Sequence, residues 1–205
     1  MQKTLLSLLV VTGFAATAQA QTTSFGVKAG ASLTNVTGNG AANTKNIFGF
    51  NGGLVANFAL NDAFSIQPEV LYSMKGNKTE RAYTGYTDKL TTRLHYIDVP
   101  VLARVNAGGL FFELGPQIGF LVAAKQKEET SGGGVAGTYE QSIKDRVASV
   151  DFGYAAGLGY QLSNGPGIGL RYNGGFIDTK SPSASSSAVR NSAFQLYLSY
   201  TFGGK

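Results

Sequence analysis

The sequence contains no cysteine, and this absence excludes two features that are common in exported proteins. None of the 205 residues is Cys, so neither a disulfide framework nor a lipid on a cysteine is available. A single histidine, His95, and dispersed carboxylates give no spacing typical of a metal site. The glycine-rich segments are not followed by Lys-Ser or Lys-Thr, as a phosphate-binding loop requires. We therefore predict no metal and no other cofactor.

Charge is also scarce. Only 14% of the residues are charged, against about 25% in ordinary soluble domains. The formal net charge is +5, but the basic residues are scattered and form no run or basic helix, which argues against nucleic acid as a partner. Contact with anionic lipid headgroups is a simpler use for the excess positive charge. The scarcity of charge favours a chain whose main solvent is not water.

A long hydrophobic run is missing as well. The apolar stretch at residues 5–16 is shorter than the roughly 20 residues that a membrane-spanning helix needs. It follows Lys3 and precedes Ala18-Gln19-Ala20, a small-x-small cleavage pattern. We predict that residues 1–20 are a secretory signal peptide cleaved between Ala20 and Gln21, and that residues 21–205 form one domain.

What the chain does contain is apolar alternation with a period of two. In eight segments, every second residue avoids Lys, Arg, Asp, Glu and His. The first segment places these residues on one face: Phe25, Val27, Ala29, Ala31 and Leu33. Successive side chains of a strand point to opposite faces of a sheet, so the pattern predicts an all-β fold of eight antiparallel strands.

The connections between these segments alternate between long and short. Polar, glycine-rich stretches occupy residues 34–46, 76–93, 124–148 and 177–190, whereas residues 61–62, 106–109 and 163–166 suffice for tight turns. This asymmetry is typical of an up-and-down transmembrane β-barrel with short periplasmic turns and long extracellular loops. Pro68 and Pro116 fall inside predicted strands, where a bulge or a local break of the ladder is expected. The predicted location is the outer membrane of a Gram-negative bacterium.

Alternation alone does not decide which face meets water, because a soluble lipocalin-like barrel shares it. Three observations favour lipid around the barrel. The charge-free face carries large side chains while the other face is crowded with glycine, which suits a narrow lumen. Aromatic residues gather near the strand ends, as in interfacial girdles. The opposite face carries four cations and four anions, and this balance suits a closed lumen because each buried charge needs a partner of opposite sign. The eight residues are Lys28, Glu69, Lys75, Asp98, Arg104, Glu113, Asp151 and Arg171.

Four segments carry a resemblance to a known family. They are residues 64–76 (FSIQPEVLYSMKG), 96–104 (YIDVPVLAR), 113–120 (ELGPQIGF) and 169–175 (GLRYNGG). Together they resemble the PorT-like, porin-family outer-membrane β-barrel proteins of the Bacteroidota, a family with no single agreed activity. The ending Tyr200-Thr201-Phe202 resembles the signal read by the outer-membrane barrel insertion machinery, although Gly203-Gly204-Lys205 follows it.

Three functions compete at this point. A lipid-modifying enzyme would need His95 at the exterior rim, with Asp98 and loop serines nearby. A narrow porin-like channel would need open space in a lumen that eight strands barely provide. We expect instead a non-enzymatic scaffold that contacts outer-membrane lipids and offers an extracellular ligand its four mobile loops, above all the region of residues 125–146.

Overall fold

The computed structural model describes residues 23–39, 41–132, 134–179 and 188–202. The predicted signal peptide, with its cleavage site at Ala20 and Gln21, lies outside these ranges. The described chain forms ten strands: β1 (Thr23–Thr37), β2 (Thr44–Lys45), β3 (Ile47–Ala59), β4 (Phe64–Tyr83), β5 (Tyr86–Ala107), β6 (Leu110–Gly132), β7 (Val135–Ser142), β8 (Val150–Gln161), β9 (Pro166–Gly175) and β10 (Arg190–Phe202).

Eight of the strands close into a ring. The order around the barrel is β3, β1, β10, β9, β8, β6, β5 and β4, and β4 pairs with β3 again. The first and last strands of the chain pair from Phe25 opposite Phe202 to Thr37 opposite Arg190. All pairings are antiparallel, which confirms the predicted eight-stranded up-and-down barrel. Within the described ranges, no helix is long and apolar enough to cross a membrane.

The faces of the strands are oriented as predicted. Lys28 and Arg171 are only 3% and 2% exposed, whereas Leu54 and Leu114 are 66% and 61% exposed. A soluble barrel would show the reverse distribution, because it buries apolar side chains in its interior. The large apolar residues therefore form the outer wall, and the polar residues fill the lumen.

Pro68 and Pro116 interrupt the hydrogen-bonded ladder without changing its register. The pairing of β3 with β4 stops at Val55 opposite Glu69 and resumes in the same register at Phe58 opposite Ile66, so that Pro68 has no partner on β3. The pairing of β5 with β6 has a similar gap that includes Pro116. The predicted local break is confirmed, whereas the register shift occurs elsewhere, between His95 and Tyr96. A proline lacks the N–H that would bond to the neighbouring strand.

Two of the four predicted exterior loops are wrong, because strands continue through them. β4 and β5 extend through residues 76–93 and meet at Tyr83 and Tyr86, and β6 and β7 form a second hairpin within residues 124–148. The two hairpins are joined through β5 and β6, and we call residues 76–93 and 125–142 the exterior sheet. Its side chains are polar on both faces, so it lacks the apolar alternation by which strands are found in a sequence.

Candidate functional site

The centre of the lumen is organised around the carboxylate of Glu69 on β4. Lys28 donates to it from Nζ at 2.8 Å, and Arg171 donates from Nη1 and Nη2 at 2.6 and 2.9 Å. Gln67 adds a fourth hydrogen bond from Nε2 at 2.7 Å. The bidentate geometry of Arg171 is the strongest form of a guanidinium–carboxylate contact.

A second carboxylate completes this group. Glu113 accepts from Nε of Arg171 at 2.7 Å and from the Tyr197 hydroxyl at 3.0 Å. The Nζ of Lys28 lies 3.9 Å from the centre of the Tyr197 ring. We call Lys28, Glu69, Glu113, Arg171 and Tyr197 the central cluster. It joins β1, β4, β6, β9 and β10 across the lumen with two positive and two negative charges.

Glycine makes room for these contacts. Gly157 on β8 is the register partner of both Glu113 and Arg171, so the two long side chains meet over a residue with none. A Cβ atom at Gly157 would lie 2.8 Å from Oε1 of Glu113, closer than carbon and oxygen normally approach. Gly169 similarly faces the ring of Tyr197. The predicted inward glycines thus allow side chains on non-adjacent strands to meet.

A smaller group lies nearer the exterior. Lys75 donates to Asp98 at 3.0 Å and to Asp151 at 3.3 Å, and Asn191 donates to Asp151 at 2.9 Å. We call Lys75, Asp98, Asp151 and Asn191 the outer cluster. It holds one positive and two negative charges, so its excess charge is negative.

Arg104 stands apart from both clusters, nearer the periplasmic end. It donates to Oδ1 of Asn106 at 2.9 Å and to Oε1 of Gln67 at 3.0 Å, and its guanidinium lies 3.7 Å from the centre of the Phe111 ring. In the part of the chain that the structure describes, no carboxylate lies within salt-bridge distance of it. Seven of the eight predicted lumen charges therefore come together in the two clusters, and the eighth does not.

The spaces inside the barrel are very unequal. A cavity of about 770 Å³, which we call the vestibule, opens among the short turns at the periplasmic end. On the two sides of the central cluster the spaces measure only about 10 Å³ each, one beside Lys28 and Arg104 and the other beside Lys75 and Asp151. A space of this size holds one water molecule at most. The central cluster closes the barrel above the vestibule.

His95 does not form the arrangement that an enzyme would need. Its ring points to the outer wall, where Nδ1 lies 2.6 Å from the Tyr72 hydroxyl. Asp98 lies on the other face of the strand, in the lumen, bound to Lys75. In the described ranges His95 has no carboxylate or serine hydroxyl as a hydrogen-bond partner. Together with the neighbouring ring of Phe50, His95 and Tyr72 form part of an aromatic and polar band at the exterior end of the wall, a position typical of an interfacial girdle.

The exterior sheet carries exposed aromatic and charged side chains. The stacked rings of Tyr83 and Tyr86 are 4.8 Å apart at one tip, and Tyr139 on β7 is 61% exposed. Lys125 donates to Glu140 at 2.9 Å, and this hydrogen bond lowers the pKa of the Glu140 carboxyl. The other edge of β7 pairs with no strand of the described chain. The sheet therefore offers both side chains and free backbone groups to the exterior.

Sequence reasoning missed several lumen residues that contact the predicted charges, among them Asn191 of the outer cluster. Tyr197, Gln67 and Phe111 are each at most 3% exposed, and each contacts one or more of the eight charges. Their inward parity and the glycine opposite Tyr197 were available signals. Within the same ranges, no three residues of the types His, Cys, Asp and Glu come together as a metal site would require.

Comparison with known proteins gives one family and several similar folds. The model of the outer membrane protein beta-barrel domain family matches residues 18–181. No curated protein matches the chain. The structure of Neisserial surface protein A is similar, with a TM-score of 0.52 and 16% identity over 87% of this chain and 97% of that one.

Two further solved structures are less similar. Ail, the attachment invasion locus protein of Yersinia pestis, has a TM-score of 0.47 and 15% identity over 88% of this chain and 99% of its own. The outer membrane protein OprG of Pseudomonas aeruginosa has a TM-score of 0.45 and 10% identity over 90% and 98%. At these identities, structural likeness bears on the fold alone.

Proposed function

Because this chain belongs to the outer membrane protein beta-barrel domain family, we propose that it is a non-enzymatic scaffold that presents the exterior sheet as an interaction surface. Its place is the outer membrane, with the apolar wall in lipid. The observation that carries the proposal is the length of the strands. About 9 to 11 tilted residues cross a bilayer, whereas β6 has 23 residues. More than half of β6 is therefore available outside the hydrocarbon layer.

The exterior sheet suits binding because it is held rigidly above a closed barrel. β4, β5, β6 and β7 pair continuously there, so their backbones keep a fixed register relative to each other. A rigid surface loses little conformational entropy when it binds a partner. Two of the four predicted loops thus contain paired strands.

We also propose the finer assignments made from the sequence. The four segments at residues 64–76, 96–104, 113–120 and 169–175 support a PorT-like protein of the Bacteroidota type. The ending of β10 at Phe202 supports recognition by the barrel insertion machinery, and the apolar stretch before Gln21 supports cleavage of a signal peptide.

Removing the second hairpin tests the proposed role. Lys127 and Glu140 are register partners, so residues 128–139 can be excised and the ends joined through Asn-Gly, a favoured two-residue turn. We expect the barrel to assemble normally, with unchanged heat-dependent gel mobility, because the excised residues lie outside the wall. Whole cells should lose binding to at least one member of a panel of matrix proteins, polysaccharides and sister cells.

The matched control removes the first hairpin instead. Thr79 and Leu90 are also register partners, and excision of residues 80–89 with the same Asn-Gly junction leaves β7 in place. The comparison assigns any lost binding to one hairpin. If cells carrying the first excision and cells carrying the second both bind the whole panel like the parent strain, the exterior sheet is not an interaction surface.

The channel alternative predicts a different electrical behaviour. The central cluster fills the lumen, and Arg171 and Tyr197 are each 2% exposed, so we expect no stable conductance steps in planar bilayers containing the purified barrel. The Gly157→Ala variant, which pushes against Glu113, should be equally silent. Ohmic steps that persist in the parent protein and scale with salt concentration would favour the channel instead.

A further inference from the structure

Arg104 lies close to a carboxylate that it does not bind. Arg104 on β5 is the register partner of Glu113 on β6, the position where an ion pair across two strands is normally found. Glu113 instead accepts from Arg171 and Tyr197 in the central cluster. Arg104 therefore has no acidic partner in the described chain, although its side chain is buried, with only 8% exposed.

The guanidinium is nevertheless held in a fixed position. Its Nε and Nη1 donate to Asn106 and Gln67, and its plane lies over the Phe111 ring. An arginine has five N–H donors, and protein atoms of the described residues accept only two of these here. Gln67 cannot turn away, because its Nε2 donates to Glu69 while its Oε1 accepts from Arg104.

The remaining donors have space beside them. Arg104 lines the vestibule of about 770 Å³ together with neutral polar side chains, among them Ser24, Asn57 and Gln161. A volume of this size is typical of small-molecule sites. Asp62 is the one carboxylate among the described lining residues, and it lies in the exposed turn at the rim. The inner part of the vestibule is therefore positively charged.

We propose that the vestibule binds a small anion from the periplasm, a carboxylate or phosphate group, through the guanidinium of Arg104. Both groups match the planar fork of arginine and accept two parallel hydrogen bonds from it. Desolvation of the buried guanidinium strengthens this contact relative to one in water. Since the central cluster closes the barrel above the vestibule, the anion enters and leaves at the periplasmic end, and the site serves binding rather than passage.

A different role for Arg104 makes a different prediction. The outer cluster has an excess of one negative charge, and Arg104 would neutralise the lumen as a whole from a distance. If neutralisation were the only role of Arg104, a positive charge near the periplasmic end of the lumen would suffice. Neither free N–H donors nor a bound anion would be needed. Anion titration separates the two roles.

The test follows the Arg104 Nε–Hε signal by nuclear magnetic resonance in the full purified barrel in detergent micelles. Sodium phosphate and sodium acetate are added in separate titrations, with pH and ionic strength held constant. We expect a saturable shift of this signal in the millimolar range in at least one titration, while Arg81 in the exterior sheet shows none. Saturation with phosphate alone assigns a phosphoryl ligand, and saturation with acetate alone assigns a carboxylate.

Two variants complete the design. Arg104→Lys keeps the positive charge but loses the two parallel N–H donors of the guanidinium, so it should weaken anion binding at least tenfold. The amide signals of Gln67 and Asn106 report the binding in this variant. Arg81→Gln, a matched exterior control, should bind like the parent. A linear, non-saturating response up to about 100 mM of both anions, or equal binding by the Arg104→Lys barrel, would overturn the proposal. The Nε–Hε signal of Arg104 is recorded in the parent barrel, so it tests anion binding even where a variant assembles poorly.

Discussion

Replacing Glu69 by glutamine should destabilise the barrel by about 3–5 kcal/mol, the usual cost of removing one partner from a buried ion pair. Glu69 is 1% exposed and accepts from Lys28, Arg171 and Gln67. The variant leaves two buried cations facing the single carboxylate of Glu113. Urea unfolding in phospholipid vesicles, followed by heat-dependent gel mobility, measures the change in free energy of unfolding.

Two further variants show whether charge is the cause. Adding Lys28→Met to Glu69→Gln restores one cation opposite one anion in the central cluster, so the double variant should regain part of the lost stability. Glu80→Gln removes an exposed carboxylate that contacts Lys45 and Lys78, and we expect no measurable change there because solvent screens such pairs. Equal stability of the Glu69→Gln barrel and the parent would show that the central cluster does not hold the strands together.

A second large effect is expected on the outer wall. Leu170 lies in the middle of β9, is 56% exposed, and has Leu158 and Leu196 as its register partners on both sides. Leu170→Arg should cost about 2–4 kcal/mol, as measured for arginine on the lipid face at the bilayer midplane. The reason is that the guanidinium must enter hydrocarbon or deform the bilayer. The same unfolding assay in vesicles measures this cost.

The control places the same charge outside the membrane. Tyr139 on β7 is similarly exposed, but it belongs to the exterior sheet, so Tyr139→Arg should leave stability unchanged. If both arginine variants are equally stable, the apolar wall does not face lipid. The large difference expected between two equally exposed positions separates a lipid-facing wall from a wall in water.

The lumen shows which features of the barrel interior the sequence could predict and which it could not. Parity placed Lys28, Glu69 and Arg171 on one face of the sheet, and the balance of charge and the many glycines on that face assigned it to the interior. Parity could not tell which charges meet. Glu69 and Arg171 are 102 residues apart and lie on non-adjacent strands, and their side chains meet because the lumen is narrow.

The exterior sheet shows the opposite limit. Residues 76–93 were predicted as a loop because they lack an apolar face, yet they pair along their whole length. Backbone hydrogen bonds extend from the membrane wall into the hairpin and need no buried face there. A strand that is exposed to water on both faces lacks the alternation of apolar and polar residues by which strands are predicted from a sequence.

The sequence by itself determined the number of wall strands, the face that meets lipid and the charged content of the lumen. These properties depend on the local alternation of the backbone and on the residue types of the two faces, which each segment carries within itself. The tertiary structure alone decided that seven charges form two clusters, that Arg104 faces the vestibule with no carboxylate of the described residues bound to it, and that the hairpins form one sheet. These features arise only when the ring closes, because closure fixes the distances between side chains on strands that are remote in sequence.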